Sequence, residues 1–67
     1  MNAAVADAVM SNIRGMQDAQ RLMHTIRQGC APADALLTGF TAVQATGDED
    51  RIRGFARELQ KSLERSA

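Results

Sequence analysis

The sequence predicts an all-α fold with one long amphipathic helix over residues 3–28 and an antiparallel helical hairpin over residues 33–46 and 49–65. Apolar residues recur at helical spacing in three stretches, and none of these stretches shows the alternation of a strand. Glycine, proline and acidic residues separate the stretches where helices would begin or end. We therefore predict a single domain, a three-helix unit, spanning residues 1–67.

The composition indicates a thin hydrophobic core. The chain has 67 residues and 45% hydrophobic residues, many of them alanine, with two Phe, no Trp and no Tyr. A domain of this size buries only about 60% of the surface that its unfolded chain exposes. Its one Cys excludes an internal disulfide. Stabilisation by a second copy or by a partner protein is therefore expected, and we predict a unit that is oligomeric or completed by a partner.

The first predicted helix carries an apolar stripe at heptad spacing. Gly29 is placed to end this helix as the residue after its C-cap. Gly15, inside the helix, is open to two interpretations: close approach by another helix, or an exposed glycine. The stripe consists of Val5, Val9, Met16, Ala19, Met23, Ile26 and Cys30, widened by Ile13 and Leu22.

Cys30 and His24 are the two side chains of the first stretch that suggest chemistry. Cys30 precedes the second helix, whose dipole can activate a thiol, but it also falls in the register of the stripe. We predict a buried apolar residue. His24 lies away from the stripe and is interpreted as a solvated side chain. One Cys and one His cannot complete a zinc site, so no metal is expected.

The second and third helices are predicted from shorter patterns. Pro32 suits the first position of a helix, and Leu36, Phe40 and Val43 share one face of it. Gly47 would end this helix, and Asp48 would cap the next. The third helix has the clearest stripe, formed by Ile52, Phe55, Leu59 and Leu63. The short connection at Gly47 makes these two helices an antiparallel hairpin.

The first helix is longer than either partner in the hairpin, since 26 residues at 1.5 Å each extend about 39 Å. Part of its stripe would then be available to another helix. The predicted function is a non-enzymatic helical protein–protein interaction module, such as an adaptor, an assembly or secretion chaperone, or a regulatory inhibitor. It would bind a partner helix or a second copy by helix-in-groove packing. The predicted contact residues are Val5, Val9, Ile13, Met16, Met23 and Ile26.

A small helix-turn-helix-like DNA-binding regulator is the alternative hypothesis. Arg53, Arg57 and Lys61 would form a basic strip on the third helix. This helix nevertheless opens with carboxylates, at the end that approaches DNA in that motif. Glu49 and Glu58 are spaced to pair with Arg53 and Lys61. Nucleic acid is therefore the less favoured partner.

Other classes of function find no support in the sequence. No nucleophile elbow, phosphate loop or dinucleotide fingerprint occurs, so we predict no catalytic residues, no cofactor and no small-molecule substrate. Eight acidic residues balance eight basic ones. The N-terminus lacks the basic region of a signal peptide, and no apolar run approaches the roughly 20 residues of a membrane span. A cytoplasmic protein without membrane contact is expected.

Overall fold

The computed structural model describes the backbone of residues 3–66 and the side chains of residues 5–65. This part of the chain forms three helices and no strand: α1 (Ala3–Arg27), α2 (Ala35–Ala45) and α3 (Glu49–Ser66). The all-α prediction is confirmed, with every helix boundary within two residues of the predicted position. Residues 1, 2 and 67 of the predicted domain lie outside the described residues.

Glycine ends α1 as predicted. Gly29 has a φ of 72°, a left-handed conformation that glycine adopts without steric cost. Its N–H donates to the Ile26 carbonyl at 3.0 Å, and the Cys30 N–H donates to the Thr25 carbonyl at 3.3 Å. These two bonds form a Schellman motif, which satisfies carbonyls left open at the helix end.

The start of α2 differs from the prediction. Pro32 is not the first helical residue, because it precedes a turn in which the Ala35 N–H donates to the Pro32 carbonyl at 3.0 Å. The helix begins at Ala35, after an Asp34 whose side chain makes no capping hydrogen bond. The proline therefore shapes the connection between α1 and α2 and shortens α2 to 11 residues.

The predicted cap of α3 is confirmed. Gly47 takes a φ of 69° in the turn after α2. The Arg51 N–H then donates to Oδ1 of Asp48 at 3.2 Å. A hydrogen bond between the Asp48 carboxylate and the Ser11 side chain of α1 lowers the pKa of Asp48, and the bond from the Arg51 N–H lowers it further. The Asp48 carboxylate thus accepts a hydrogen bond from a backbone N–H in the first turn of α3 and also links this turn to α1.

The first and third helices run side by side in the same direction. Nδ2 of Asn12, in the N-terminal half of α1, donates to the carbonyl of Asp50, in the first turn of α3, at 3.3 Å. Near their C-terminal ends, the Arg27 guanidinium donates to Oγ of Ser62 at 2.9 Å. The α2 helix returns in the opposite direction and contacts both helices less extensively. The predicted hairpin of α2 and α3 is present, but the tightest packing joins α1 to α3.

Glycines set the distance between α1 and α3. A Cβ atom added to Gly15 would overlap the Arg51 carbonyl oxygen and lie 2.8 Å from the backbone nitrogen of Phe55. A Cβ atom on Gly54 would overlap the Asn12 carbonyl oxygen. The structure therefore favours the first interpretation of Gly15, because this residue lies where another helix approaches most closely.

The core is small and is built around Phe55. Ala19 and Val43 are buried with it, and Leu22, Phe40, Ile52 and Leu59 pack around these three residues. The rings of Phe40 and Phe55 meet edge to face, with centroids 5.9 Å apart. Within the predicted stripe of α1, only Ala19 is fully buried, because the close approach of α3 selects small side chains.

Cys30 is not the buried end of the stripe. It is exposed, and its thiol lies 3.7 Å from the Gln28 carbonyl oxygen. The Schellman motif explains this correction. Once Gly29 ends the helix in a left-handed conformation, Cys30 no longer follows the helical register that placed it in line with Met16 and Met23.

Candidate partner-binding surfaces

The predicted contact residues of α1 separate into two groups. Val5, Val9 and Ile13 are 50%, 52% and 40% exposed, respectively. Met16, Met23 and Ile26 are partly buried. The stripe is therefore most accessible in the N-terminal half of α1, where the excess length of this helix was expected to leave apolar residues exposed.

Met10 belongs to the same exposed region, although the heptad pattern did not include it. Its side chain is 51% exposed and lies one position after Val9. We call the four residues Val5, Val9, Met10 and Ile13 the α1 row. Asn12 donates to the Asp50 carbonyl at the start of α3. Val5, Val9 and Met10 lie on the N-terminal side of Asn12 along α1.

A shallow groove of about 340 Å³ borders the α1 row where α1 meets α3. Val9 and Ile13 line it from α1, and Asp50 and Arg57 line it from α3. An apolar row flanked by one acidic and one basic side chain has the character of an interface margin, in which apolar contacts are bordered by polar groups.

A second apolar surface lies between α2 and α3 and was not predicted. A cleft of about 590 Å³ opens to solvent there. We call it the α2–α3 cleft. It is lined by Ala33, Asp34, Leu36, Leu37, Phe40 and Leu59. The sequence pattern places Leu36 on the same helical face as Phe40 and Val43, but its side chain is 42% exposed.

The C-terminal half of the predicted stripe contributes to a neighbouring apolar depression. Met23 and Ile26 line a space of about 370 Å³ together with Leu36, Leu59 and Leu63. Leu36 and Leu59 also line the α2–α3 cleft, so the two spaces are adjacent. The single stripe predicted from the heptad spacing is thus divided between two separate surfaces.

The basic strip on α3 is partly neutralised. Arg53 lies 3.9 Å from Glu49 and 3.8 Å from Asp50. The predicted pairing of Glu58 with Lys61 is wrong, since the buried Glu58 carboxylate accepts a hydrogen bond from Arg65 at 3.2 Å. Arg57 and Lys61 are exposed, and no carboxylate lies within 4 Å of either among residues 5–65.

Polar side chains between α1 and α3 hold the helices together. Nε of Arg51 donates to Oδ2 of Asp18 at 2.7 Å, and this contact raises the pKa of Arg51. Neither side chain is more than a third exposed, so the pair is partly shielded from water and salt. These groups, like Arg27 and Ser62, are engaged in cross-helix bonds and take a structural role.

Cys30 and His24 both lie at the surface. Cys30 lines a depression of about 440 Å³ between α1 and α2, together with Arg21, Thr25 and Thr38. His24 does not line it. Among the described residues, no group of three or more His, Cys, Asp or Glu side chains is placed to hold a metal ion.

Comparison with known proteins adds no functional assignment. No protein-family model matches the chain, and no curated protein or solved structure is significantly similar to it. Within residues 3–66, no helix combines the length and apolar character needed to cross a membrane. The two apolar surfaces and the exposed Arg57 and Lys61 are therefore the features of the described residues that bear on function.

Proposed function

We propose that this protein is a non-enzymatic helical interaction module that binds a partner helix, or a second copy, through α1. The observation that carries the proposal is the α1 row, in which large apolar side chains are 40–52% exposed at helical spacing. Cytoplasmic roles as an adaptor, an assembly or secretion chaperone, or a regulatory inhibitor all fit such a module.

The geometry of the row suits helix-in-groove recognition. Val5, Val9 and Ile13 follow one another at intervals of four residues, so they project from one face of α1 over about 12 Å. A partner with an apolar groove can receive these side chains as consecutive anchors. Met10 widens the contact, and its unbranched thioether can adapt to different partner surfaces.

Site-specific photo-crosslinking in the native host tests which face of α1 contacts the partner. A crosslinking amino acid at Val9 should yield a defined adduct with one protein, or with a second copy of this chain. Asp7 is the matched control, because it is also exposed and lies about 160° around the helix from Val9. Equal adducts from both positions, or none from Val9, would contradict the proposal.

Substitutions then test the chemistry of the contact. Val9→Asp should abolish the adduct formed from a crosslinker at Ile13, because burying an unpaired carboxylate against an apolar groove is costly. Val9→Leu should retain it. Circular dichroism should show the same helix content in both variants, since Val9 is 52% exposed. Retention of the adduct by Val9→Asp would exclude the α1 row as the anchor.

DNA binding through α3 remains the second candidate function. It is supported by the exposed Arg57 and Lys61, which have no acidic partner within 4 Å among the described side chains. Binding to duplex DNA at low salt, weakened by added salt and by Arg57→Glu, is the expected result under this hypothesis. An absence of binding at low salt would eliminate it.

A further inference from the structure

The groove beside the α1 row carries opposite charges toward its two ends. Asp50 and Arg57 both line it from α3, opposite Val9 and Ile13 of α1. The two charged residues are seven positions apart, which corresponds to about two helical turns and about 10 Å along the helix axis. The apolar part of the groove is therefore bordered by an acid toward the N-terminal end of α3 and by a base two turns later.

Neither charge is held firmly within its own chain. No carboxylate of residues 5–65 lies within 4 Å of the Arg57 guanidinium. The Asp50 carboxylate lies 3.8 Å from Arg53, and these two side chains are 41% and 72% exposed. An ion pair of this length and exposure contributes little to stability, so Asp50 can exchange its partner at small cost.

A second copy of the chain presents the complementary charges in the required order. When two copies meet face to face about a two-fold axis that lies across the helices, each helix runs antiparallel to its own equivalent. Arg57 of each copy then faces Asp50 of the other, and the pair is formed twice. The same rotation brings Val9 of one copy close to Ile13 of the other, so apolar side chains meet apolar side chains.

We propose that two copies of this chain form an antiparallel two-fold dimer through the α1 row, with Asp50 and Arg57 paired between the copies. The dimer depends on the proposed use of α1 as a binding surface, and it names a second copy as the occupant of that surface. Val9 and Ile13 supply the apolar contact. The two ion pairs set the register, because sliding one copy along the other separates the opposite charges.

Sedimentation equilibrium over a range of concentrations tests the assembly. The wild-type chain should approach twice its 7.2 kDa mass. Arg57→Glu places two carboxylates opposite each other in both pairs, and Asp50→Lys places two cations opposite each other. Each substitution alone should raise the dissociation constant by about tenfold or more.

An equimolar mixture of the Arg57→Glu and Asp50→Lys chains distinguishes this pairing from a general effect of charge. In the mixed dimer, one pair keeps its native charges and the other has them exchanged, so both pairs are attractive again. The mixture should therefore show the dimer mass at a concentration at which each variant alone is a monomer. Failure of the mixture to recover the dimer would overturn the proposed pairing.

Arg14→Glu is the matched control, because it makes the same charge change as Arg57→Glu. Arg14 is exposed and lies about 140° around α1 from Val9, so its substitution should leave the dimer unchanged. Circular dichroism should show the same helix content in all of these variants. In a mixture of isotope-labelled and unlabelled wild-type chains, filtered nuclear Overhauser spectra should connect the Val9 methyl groups of one copy with Ile13 of the other.

A wild-type chain that stays monomeric at millimolar concentration would overturn the dimer. If a crosslinker at Val9 still captured a different protein in the host, the dimer alone would be refuted and the binding role of α1 would stand. A dimer that is insensitive to both Arg57→Glu and Asp50→Lys would also overturn the proposal, because its interface would lie elsewhere.

Discussion

Gly15 of α1 faces the backbone carbonyl of Arg51 in α3 at a distance that leaves no room for a Cβ atom. The contact is between main chains, so neither side can move aside by changing a rotamer. Gly54 makes the reciprocal approach to the backbone of Asn12. Together these glycines determine how closely the two longest helices, α1 and α3, pack against each other.

Gly15→Ala should destabilise the fold by about 2 kcal/mol or more, because the added methyl group forces the helices apart. This loss exceeds the gain of up to about 1 kcal/mol from the better helix propensity of alanine. Urea denaturation followed by circular dichroism measures the difference.

Gly39→Ala provides the control for that substitution. Its new Cβ atom would meet the flexible tip of Leu22, at 2.7 Å, rather than a backbone atom. The free energy of unfolding should change by no more than about 1 kcal/mol in either direction. A stabilising effect of Gly15→Ala would show that α1 and α3 do not approach each other in this way.

The ion pair between Asp18 and Arg51 should contribute measurably to stability. Asp18→Asn should lower the free energy of unfolding, because it removes a charge-assisted hydrogen bond of 2.7 Å between side chains that are at most a third exposed. Glu49→Gln, which removes a 3.9 Å pair between highly exposed side chains, should cost only a few tenths of a kcal/mol. Equal effects of the two substitutions would contradict this ranking.

Asp48 should make stability depend on acid pH. Its folded-state pKa lies below the ordinary value of 3.8. Its contribution to stability is therefore complete above about pH 5 and is lost as the pH falls through the folded-state value. Ser11→Ala removes the hydrogen bond that contributes most to the shift, so it should raise the pKa of Asp48. Carbon-detected NMR titration of the carboxyl group measures both values, and an unchanged pKa in Ser11→Ala would refute the contact.

The Cys30 thiol should react readily in the folded protein. It is exposed in the α1–α2 connection, so Ellman's reagent should modify it at a rate close to that of the unfolded chain. Cys30→Ser should change the free energy of unfolding by less than about 0.5 kcal/mol. Slow modification relieved only by denaturant would instead indicate a buried thiol.

Local signals in the sequence were sufficient to locate the helices. Gly29, Gly47 and Asp48 act through their own backbone geometry or through hydrogen bonds to nearby residues, so their effect does not depend on the rest of the fold. Pro32 was misassigned because proline is compatible both with the first turn of a helix and with the turn that precedes it.

The buried faces were harder to predict, because large apolar side chains dominate any hydropathy pattern. The α1 helix packs through Gly15 and Ala19, and the buried residues of α2 are Ala35 and Val43. Small residues contribute little to apolar periodicity, yet they permit the closest backbone contacts. The α2–α3 cleft was not predicted, because the spacing of Leu36, Phe40 and Val43 shows that they share a face of α2 but not how much of that face α3 covers.

The pairing of α1 with α3 also bears on how the chain folds. The Asp18–Arg51 contact joins residues 33 positions apart, and the packing of α2 on either neighbour is much less extensive. A fragment containing α1 and α2 alone, or α2 and α3 alone, would lack most of the stabilising contacts. Helix formation and the packing of α1 against α3 should therefore occur together, in one cooperative transition without a stable two-helix intermediate.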